Sequence, residues 1–520
     1  MALRVLKQTS FRGGKTIDPM VIGIGLAVLL LSIHMAVRAL AFPFTPDSAA
    51  YIDEARRVLA AIGMSGASMG DLPGPNTLFP PGFGIAIAAL GLVGMDLAEA
   101  AFVLASVCAL ALPWMIVWAF RRVVPPLALA VVVLAYVTTP GVLTYSLVGL
   151  SEMMALCLGL ATIGSVINGN TNRAYFYAGL FAGMGYLVRN ANAALMVAFA
   201  AYCVAEMLLR SVPRRILAER VLVFAVGGAV IVLPLFCRNW ILFGSINPYA
   251  MAPSTIDLLT NVRTMVQEFA FDVTGVRAVG VTVAWNAALL LAFAGVQGMV
   301  LVQAARVVKV LDEAPRRALL LTGFYCLLGV AMVVAARTRF EWGEPINIRH
   351  TLQYSLYWFV LHAIIYLSSR KSGGGILHAW KLGHAMVLLT FIGHAYYMYR
   401  FDGPAEDLAR RSRAAALAFE AGEQMICDAG GSQAIRSNWP HVFGIRCGAK
   451  VGMISDWTEV RRWCGENDAR SVSAARVAIF PERAGFLASD FPLAGERVVE
   501  LVSRGCNVAG NAETAIVLSR

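Results

Sequence analysis

Phe44-Thr45-Pro46-Asp47-Ser48-Ala49-Ala50-Tyr51 follows directly on the first strongly apolar run, residues 20–41. A carboxylate, a hydroxyl and a phenol thus gather where the chain leaves a segment long enough to cross a bilayer as a helix. Thr45 is a favoured N-cap and Pro46 a favoured first helical residue, which predicts a helix over 46–62. Asp53, Glu54, Arg56 and Arg57 make that helix amphipathic, so it is expected to lie along the membrane surface.

Apolar runs of similar length recur over the first 400 or so of the 520 residues. Hydrophobic residues make up 58% of the chain, charged residues 14%, and mean hydropathy is +0.67. These values exclude an ordinary soluble protein and indicate a polytopic α-helical membrane protein. Much of the net charge of +11 lies in short loops, a pattern that sets orientation in a membrane and does not point to nucleic acid. Arg4, Lys7, Arg12 and Lys15 put the N-terminus inside. The run over 20–40 is too long for a signal-peptide core and lacks a cleavage site, so it is expected to remain as the first span.

Further spans are expected at 100–120, 127–146, 153–167, 174–188, 191–209, 221–237, 279–305, 318–336, 351–368 and 376–399, about 11 transmembrane helices in all. The stretch 79–95 opens with Phe79-Pro80-Pro81-Gly82-Phe83 and is apolar but short. If it spanned, Arg121 and Arg122 would fall outside and the later basic loops would invert, so it reads as a re-entrant or surface helix. A loop of about forty residues follows Arg238-Asn239-Trp240. The composition changes near Asp402-Gly403-Pro404. The fold class expected is therefore an all-α polytopic membrane protein over 1–400 with a small C-terminal α/β soluble domain over 401–520. Strands are expected at 448–455 and 477–480, and helices at 456–467 and 496–504.

The nine cysteines show no metal-ligand spacing. Cys108, Cys157, Cys203, Cys237 and Cys326 lie in apolar spans as packing residues. Cys427, Cys447, Cys464 and Cys506 cluster in the tail, where an oxidising compartment would allow disulfides.

Ionisable residues collect on the outward edge: Asp47, Glu152, Arg189, Arg238, Arg337, Arg339, Glu341, Glu344, Arg349 and His350. A transporter with a midplane ionic site would more often hold them within the spans. Each has a plain structural reading. Asp47 suits the first turn of a helix, Glu152 caps the fourth span, Tyr51 packs on a helix face, and Arg349 and His350 snorkel at an interface. Each also has a chemical one. Asp47 is a general base for a hydroxyl, its pKa raised by apolar surroundings. Glu152, with Tyr51, orients an acceptor or holds a divalent metal. Arg349 and His350 clamp a phosphate. Arg189, Arg238, Arg337 and Arg339 share that ambiguity.

Several of these stretches, in this order, resemble the GT-C superfamily of polyprenyl-phosphate-sugar glycosyltransferases. Asp47-Ser48-Ala49-Ala50-Tyr51 resembles the acidic motif of the first loop, and Phe79-Pro80-Pro81-Gly82-Phe83 the aromatic-Pro-Pro-Gly stretch after it. Leu150-Ser151-Glu152 is similar to the acid of the second loop, and Tyr186-Leu187-Val188-Arg189-Asn190 to the motif after the fifth span. Arg238-Asn239-Trp240 through Phe243-Gly244-Ser245, Arg349-His350, and Ser437-Asn438-Trp439-Pro440 in the tail continue the match. The nearest branches are bacterial relatives of protein O-mannosyltransferases, aminoarabinose transferases and galacturonosyltransferases. Ser48 departs from the Asp-Glu pair of the mannosyltransferases, which weakens a protein-mannosylation assignment.

The resemblance implies an inverting, lipid-phosphate-sugar-dependent enzyme of the bacterial inner membrane, with its site and tail on the periplasmic face. The donor implied is a polyprenyl-phosphate sugar and the acceptor a hydroxyl of a glycan, lipid or protein. Metal use differs among such enzymes, so no metal is predicted and the cofactor is left unknown. Two rival readings are a lipid or glycolipid flippase without chemistry and a GT-C ligase using a diphosphate-linked glycan.

Overall fold

A computed structural model describes residues 18–38, 46–64, 79–210, 212–248, 253–275, 295, 297, 298, 300–340, 346–371, 390 and 392–394, together with five strand backbones beyond residue 433. Thirteen α-helices can be named among them. They are α1 Pro19–Arg38, α2 Pro46–Ala61, α3 Gly82–Gly91, α4 Leu97–Phe120, α5 Pro126–Val137, α6 Pro140–Tyr145 and α7 Glu152–Asn168, followed by α8 Asn172–Val188, α9 Ala193–Leu208, α10 Arg214–Phe243, α11 Leu258–Thr274, α12 Glu313–Arg339 and α13 Ile348–Lys371. Five helical segments are long and apolar enough to cross a bilayer: Pro19–Ala36, Leu97–Phe120, Asn190–Leu208, Arg214–Phe243 and Glu313–Arg339. The chain is a multi-pass membrane protein. The expected spans at 279–305 and 376–399, the Thr45 cap, Glu341, Glu344, the four tail cysteines and the two tail helices fall mostly or wholly outside the described residues.

Three expectations change. The run expected to span over 127–146 is broken. Proline at 140 disfavours helix at the residue before it, and Thr139 instead caps α6 by accepting from the Val142 N–H. The seventh span is longer than expected, because α10 runs on to Phe243 and stops at Gly244, whose φ of 65° suits glycine. Arg238 and Asn239 therefore project from a helix and not from a loop. Within the loop that follows, Asp257 caps α11 through the Thr260 N–H, and Asn261, Met265, Phe271 and Asp272 bury one face of that helix against α12 and α13.

α2 is amphipathic, but its apolar face is not left for the bilayer. Tyr51, Ile52, Ala55 and Leu59 pack with Phe83, Ile87, Ala88, Ala100 and Ala101 of α3 and α4. α3 has ten residues, about 15 Å at 1.5 Å per residue, or half the bilayer core, so it does not cross by itself. α8 and α10 pack backbone to backbone. A Cβ on Gly179 would lie 1.9 Å from the Phe224 carbonyl oxygen, the close approach that small residues permit between membrane helices.

In the tail, strands β1 Ala434–Ser437, β2 Val451–Met453, β3 Ala474–Ile479, β4 Asn507–Ala512 and β5 Ala515–Ser519 form one sheet in the order β2-β1-β3-β5-β4. β1 pairs in parallel with β2 and β3, while β5 pairs antiparallel with β3 and β4. β2 and β3 fall on the two stretches expected to be strands.

Candidate active site

α2 supplies the organising face. Asp47, Tyr51 and Glu54 lie at i, i+4 and i+7, so all three project to one side. Asp47 pairs through Oδ2 with Nη1 of Arg349, the second residue of α13. Tyr51 shares a 2.9 Å hydrogen bond between its hydroxyl and that of Ser151, just before α7. Glu54 accepts from Arg238 of α10 at 2.6 Å. One short helix is thus fastened to three others.

Glu152, the first residue of α7, is the hub. Its Oε1 accepts from Nη1 of Arg189 at 2.6 Å and from Nε of Arg349. Glu152 is 0% exposed, whereas the Asp47 side chain retains 22%. Burial alone would raise the Glu152 pKa, but Arg189 and Arg349 outweigh it and hold the carboxyl at about 2. Burial lowers Arg349, and the carboxylates of Glu152 and Asp47 more than restore it, leaving it raised. Asp47, Arg349, Glu152 and Arg189 form one chain of alternating charge drawn from α2, α13, α7 and the end of α8.

The flanking motifs hold this chain in place. Arg189 follows α8 directly. A Cβ on Gly82 would lie 2.6 Å from the Leu187 carbonyl oxygen, so only glycine lets the Pro-Pro-Gly turn rest against the residues leading into Arg189. Phe79 and Phe83 of that turn hold the Tyr51 ring, each at 5.1 Å between centroids. After Arg189, Asn192 donates to the Ala155 carbonyl of α7 at 3.1 Å, which closes the turn back onto the helix carrying Glu152. Burial pushes the Tyr51 phenol up to about 12, and Glu152 adds to that. Tyr51 therefore stays protonated as a positioning group.

Not every expected residue joins the set. Arg238 binds Glu54, two turns along α2 from Asp47, and donates to Asn239 at 3.2 Å. Asn239 in turn donates to the Ile246 carbonyl and staples the chain after Gly244. His350 accepts through Nδ1 from the Asn347 N–H. Burial first, and then Arg189 and Arg349, lower its pKa to about 3. His350 is therefore neutral and serves as a hydrogen-bonding group, not a cation. Arg337 is buried and donates to Ser254 and to the Phe340 carbonyl, and Arg339 lies over the Phe340 ring at 5.3 Å. Both shape the end of α12. Among the described residues no group of three His, Cys, Asp or Glu side chains is arranged to hold a metal ion. Two residues here lie outside the sequence expectations for the site: Glu54, expected only as part of an amphipathic face, and Asn192. The helical spacing of Glu54 from Asp47 and Tyr51 carries a signal for the first; the second has none.

Another buried carboxylate, Asp272, lies outside this set. Asp272 of α11 accepts from the Gly141 N–H at 2.8 Å and from the Ser355 hydroxyl at 2.7 Å. Burial raises its pKa to about 7.

No protein-family model matches the sequence, and no curated protein matches it. Solved structures do match. ArnT from Cupriavidus metallidurans bound to undecaprenyl phosphate aligns over 96% of this chain and 97% of its own, with a TM-score of 0.55 and 12% identity. The archaeal oligosaccharyltransferase AglB from Archaeoglobus fulgidus, in complex with an inhibitory peptide and a dolichol-phosphate, aligns over 89% of this chain and 69% of its own, with a TM-score of 0.52 and 12% identity. Identities this low speak for the fold alone: this chain shares the fold of ArnT and AglB.

Proposed function

We propose that this protein transfers a monosaccharide from a polyprenyl-phosphate donor to an acceptor hydroxyl. The observation that carries the reading is the Asp47–Arg349–Glu152–Arg189 chain. It sets a partly accessible carboxylate beside one guanidinium group, and a fully buried carboxylate fixes that group and a second one in place. In the reaction, Asp47 takes the proton of the acceptor hydroxyl as its oxygen attacks the anomeric carbon from the face opposite the phosphate. The bond from that carbon to the phosphate oxygen breaks, and the electron pair leaves with the lipid phosphate. Arg349 and Arg189 offset the charge developing there, and neutral His350 adds a hydrogen bond. Glu152 keeps both arginines oriented, Tyr51 fixes α2, and Arg238 binds Glu54 as the second anchor of that helix.

The same reading gives a bacterial inner-membrane protein with a cytoplasmic N-terminus. Residues 1–400 form the catalytic unit and 401–520 a periplasmic α/β domain. The acceptor is a glycan, lipid or protein of the cell envelope. The test compares a deletion strain carrying wild-type protein with one carrying Asp47→Asn at equal expression, by mass spectrometry of envelope glycans and polyprenyl lipids. One sugar should vanish from an acceptor in the Asp47→Asn strain while its polyprenyl-phosphate form accumulates. Identical profiles in the two strains would remove Asp47 from the chemistry.

A further inference from the structure

At the end of the bundle opposite Asp47, three guanidinium groups converge. Arg220 lies in the second turn of α10, and Arg316 and Arg317 lie in the first turn of α12. They face Tyr175 in the first turn of α8 and Tyr202 and Glu206 near the end of α9. Arg317 is 2% exposed, donates to the Gly169 carbonyl at 3.2 Å and pairs with Glu313. Arg316 lies 3.5 Å from Glu206. Arg220 is 9% exposed and sits over the Tyr175 ring, 5.0 Å from its centroid. Among the described residues, Nη1 of Arg220 and the Nε atoms of Arg316 and Arg317 are buried without a hydrogen-bond partner, as are the hydroxyls of Tyr175 and Tyr202, so the donors here outnumber the neutral acceptors beside them.

The charges do not balance. Three guanidinium groups meet two carboxylates, and one of those, Glu313, is half exposed. α8, α10 and α12 all bring their N-termini to this end, and the positive pole of a helix disfavours a cation beside it. A buried guanidinium with an open donor is strongly unfavourable unless an acceptor reaches it. A phosphate group answers both problems, since its oxygens take parallel bonds from a guanidinium fork. Met207, Leu208, Leu222 and Val226, on the outward faces of α9 and α10 at this end, are exposed, so acyl chains can lie along these two helices.

We infer that this cluster is a second phosphate site, between α8, α9, α10 and α12, occupied by the headgroup of an anionic phospholipid from the leaflet at that end. It does not depend on sugar transfer and lies at the other end of the helices from Asp47. Native mass spectrometry of delipidated protein in detergent, offered phosphatidylglycerol or phosphatidylcholine, tests it. Wild type should retain phosphatidylglycerol in preference to phosphatidylcholine. Arg220→Gln should lower that retention about tenfold, the scale of one lost charged hydrogen bond. Arg214→Gln, exposed on the same helix, should leave it unchanged. Equal retention by wild type and Arg220→Gln would overturn the site. If Arg220→Gln does not fold, Arg220→Lys takes its place; it keeps the charge but loses the fork, and retention equal to wild type would again overturn the site. Thermal unfolding in inorganic phosphate against chloride at equal ionic strength separates the sources. Stabilisation by free phosphate with no lipid retained would overturn the phospholipid as occupant.

Discussion

Glu152 and Asp272 are both fully buried carboxylates, and their surroundings drive them in opposite directions. Glu152 opens α7 and meets two guanidinium groups, which hold it ionised at about 2. Asp272 sits on α11 with a backbone N–H and a serine hydroxyl as its partners, and burial raises it to about 7. Burial therefore does not by itself decide the charge of a carboxyl; the nearest cation does. A buried ion pair is no efficient route to stability, because desolvation offsets much of the attraction. A neutral residue serves as well where only shape is needed. The Glu152 cluster is placed where the proposed reaction needs oriented positive charge, and Asp272 is placed where it needs none.

The comparison can be broken at several points. The largest expected effect is that of Asp47→Asn, which should slow sugar transfer by about 10²–10⁴-fold, the usual contribution of a general base, with the unfolding temperature little changed. Radiolabelled donor lipid and a single-turnover assay would measure it. Glu152→Gln should destabilise the protein by roughly 3–5 kcal/mol, because it leaves two arginines with a neutral partner in a buried site. Thermal unfolding in detergent would show this, and an unchanged midpoint would mean that Arg189 and Arg349 find other partners. Gly82→Ala should cost about 1–3 kcal/mol through overpacking. It should also reduce transfer, since the added methyl meets the backbone just before Arg189. Tyr51→Phe removes one buried hydrogen bond and should cost about 1 kcal/mol.

The smallest effect is the most diagnostic. Asp272 has a folded pKa above its unfolded value, so its contribution to stability is complete below the ordinary aspartate range of about 4 and is lost as pH rises toward 7. Glu152 has the opposite sign, with stability present above the ordinary glutamate pKa and lost as pH falls toward 2. In Asp272→Asn an amide can still accept from Gly141 and can donate to Ser355. Unfolding midpoints from pH 4 to pH 8 should flatten in this variant, with the gain over wild type at the alkaline end. A wild-type profile that is already flat would mean that Asp272 does not titrate in this range.

Much of this architecture is readable from the chain. Helices α1, α4, α7, α8, α9, α12 and α13 each fall on an apolar run legible in the sequence, and α1, α4, α9 and α12 among them are long and apolar enough to cross a bilayer; the amphipathic helix after α1 follows from Pro46 and the spacing of its charges. What escaped has physical causes. Pro140 interrupts a run whose clearest dip is the short Thr138-Thr139-Pro140-Gly141 stretch, too brief to end a span by hydropathy, so proline chemistry is what reveals the break. α11 hides in a polar loop because its buried face carries Asn261 and Asp272 as well as Met265 and Phe271. For the site, residue types at the outer edge are legible, but their pairing is not. Glu152 could be seen as a capping acid or a second acid. Its bond to Arg349 crosses 197 residues, and nothing local encodes it. Arg238 and Arg189 look alike in sequence, yet one serves Glu54 and the other Glu152.

That long separation bears on how the protein is made. Glu152 meets Arg189 within one helical hairpin, 37 residues later, but its second arginine emerges 197 residues after it. At about 5–20 residues per second of synthesis, α7 waits roughly 10–40 s in the membrane before α13 can dock. During that time Asp47 lacks the arginine it pairs with in the finished protein. The site is thus assembled late, by one of the last described helices to be inserted. A nascent chain stalled before residue 349 would hold nearly every described helix of the bundle and lack the arginine that Asp47 and Glu152 share.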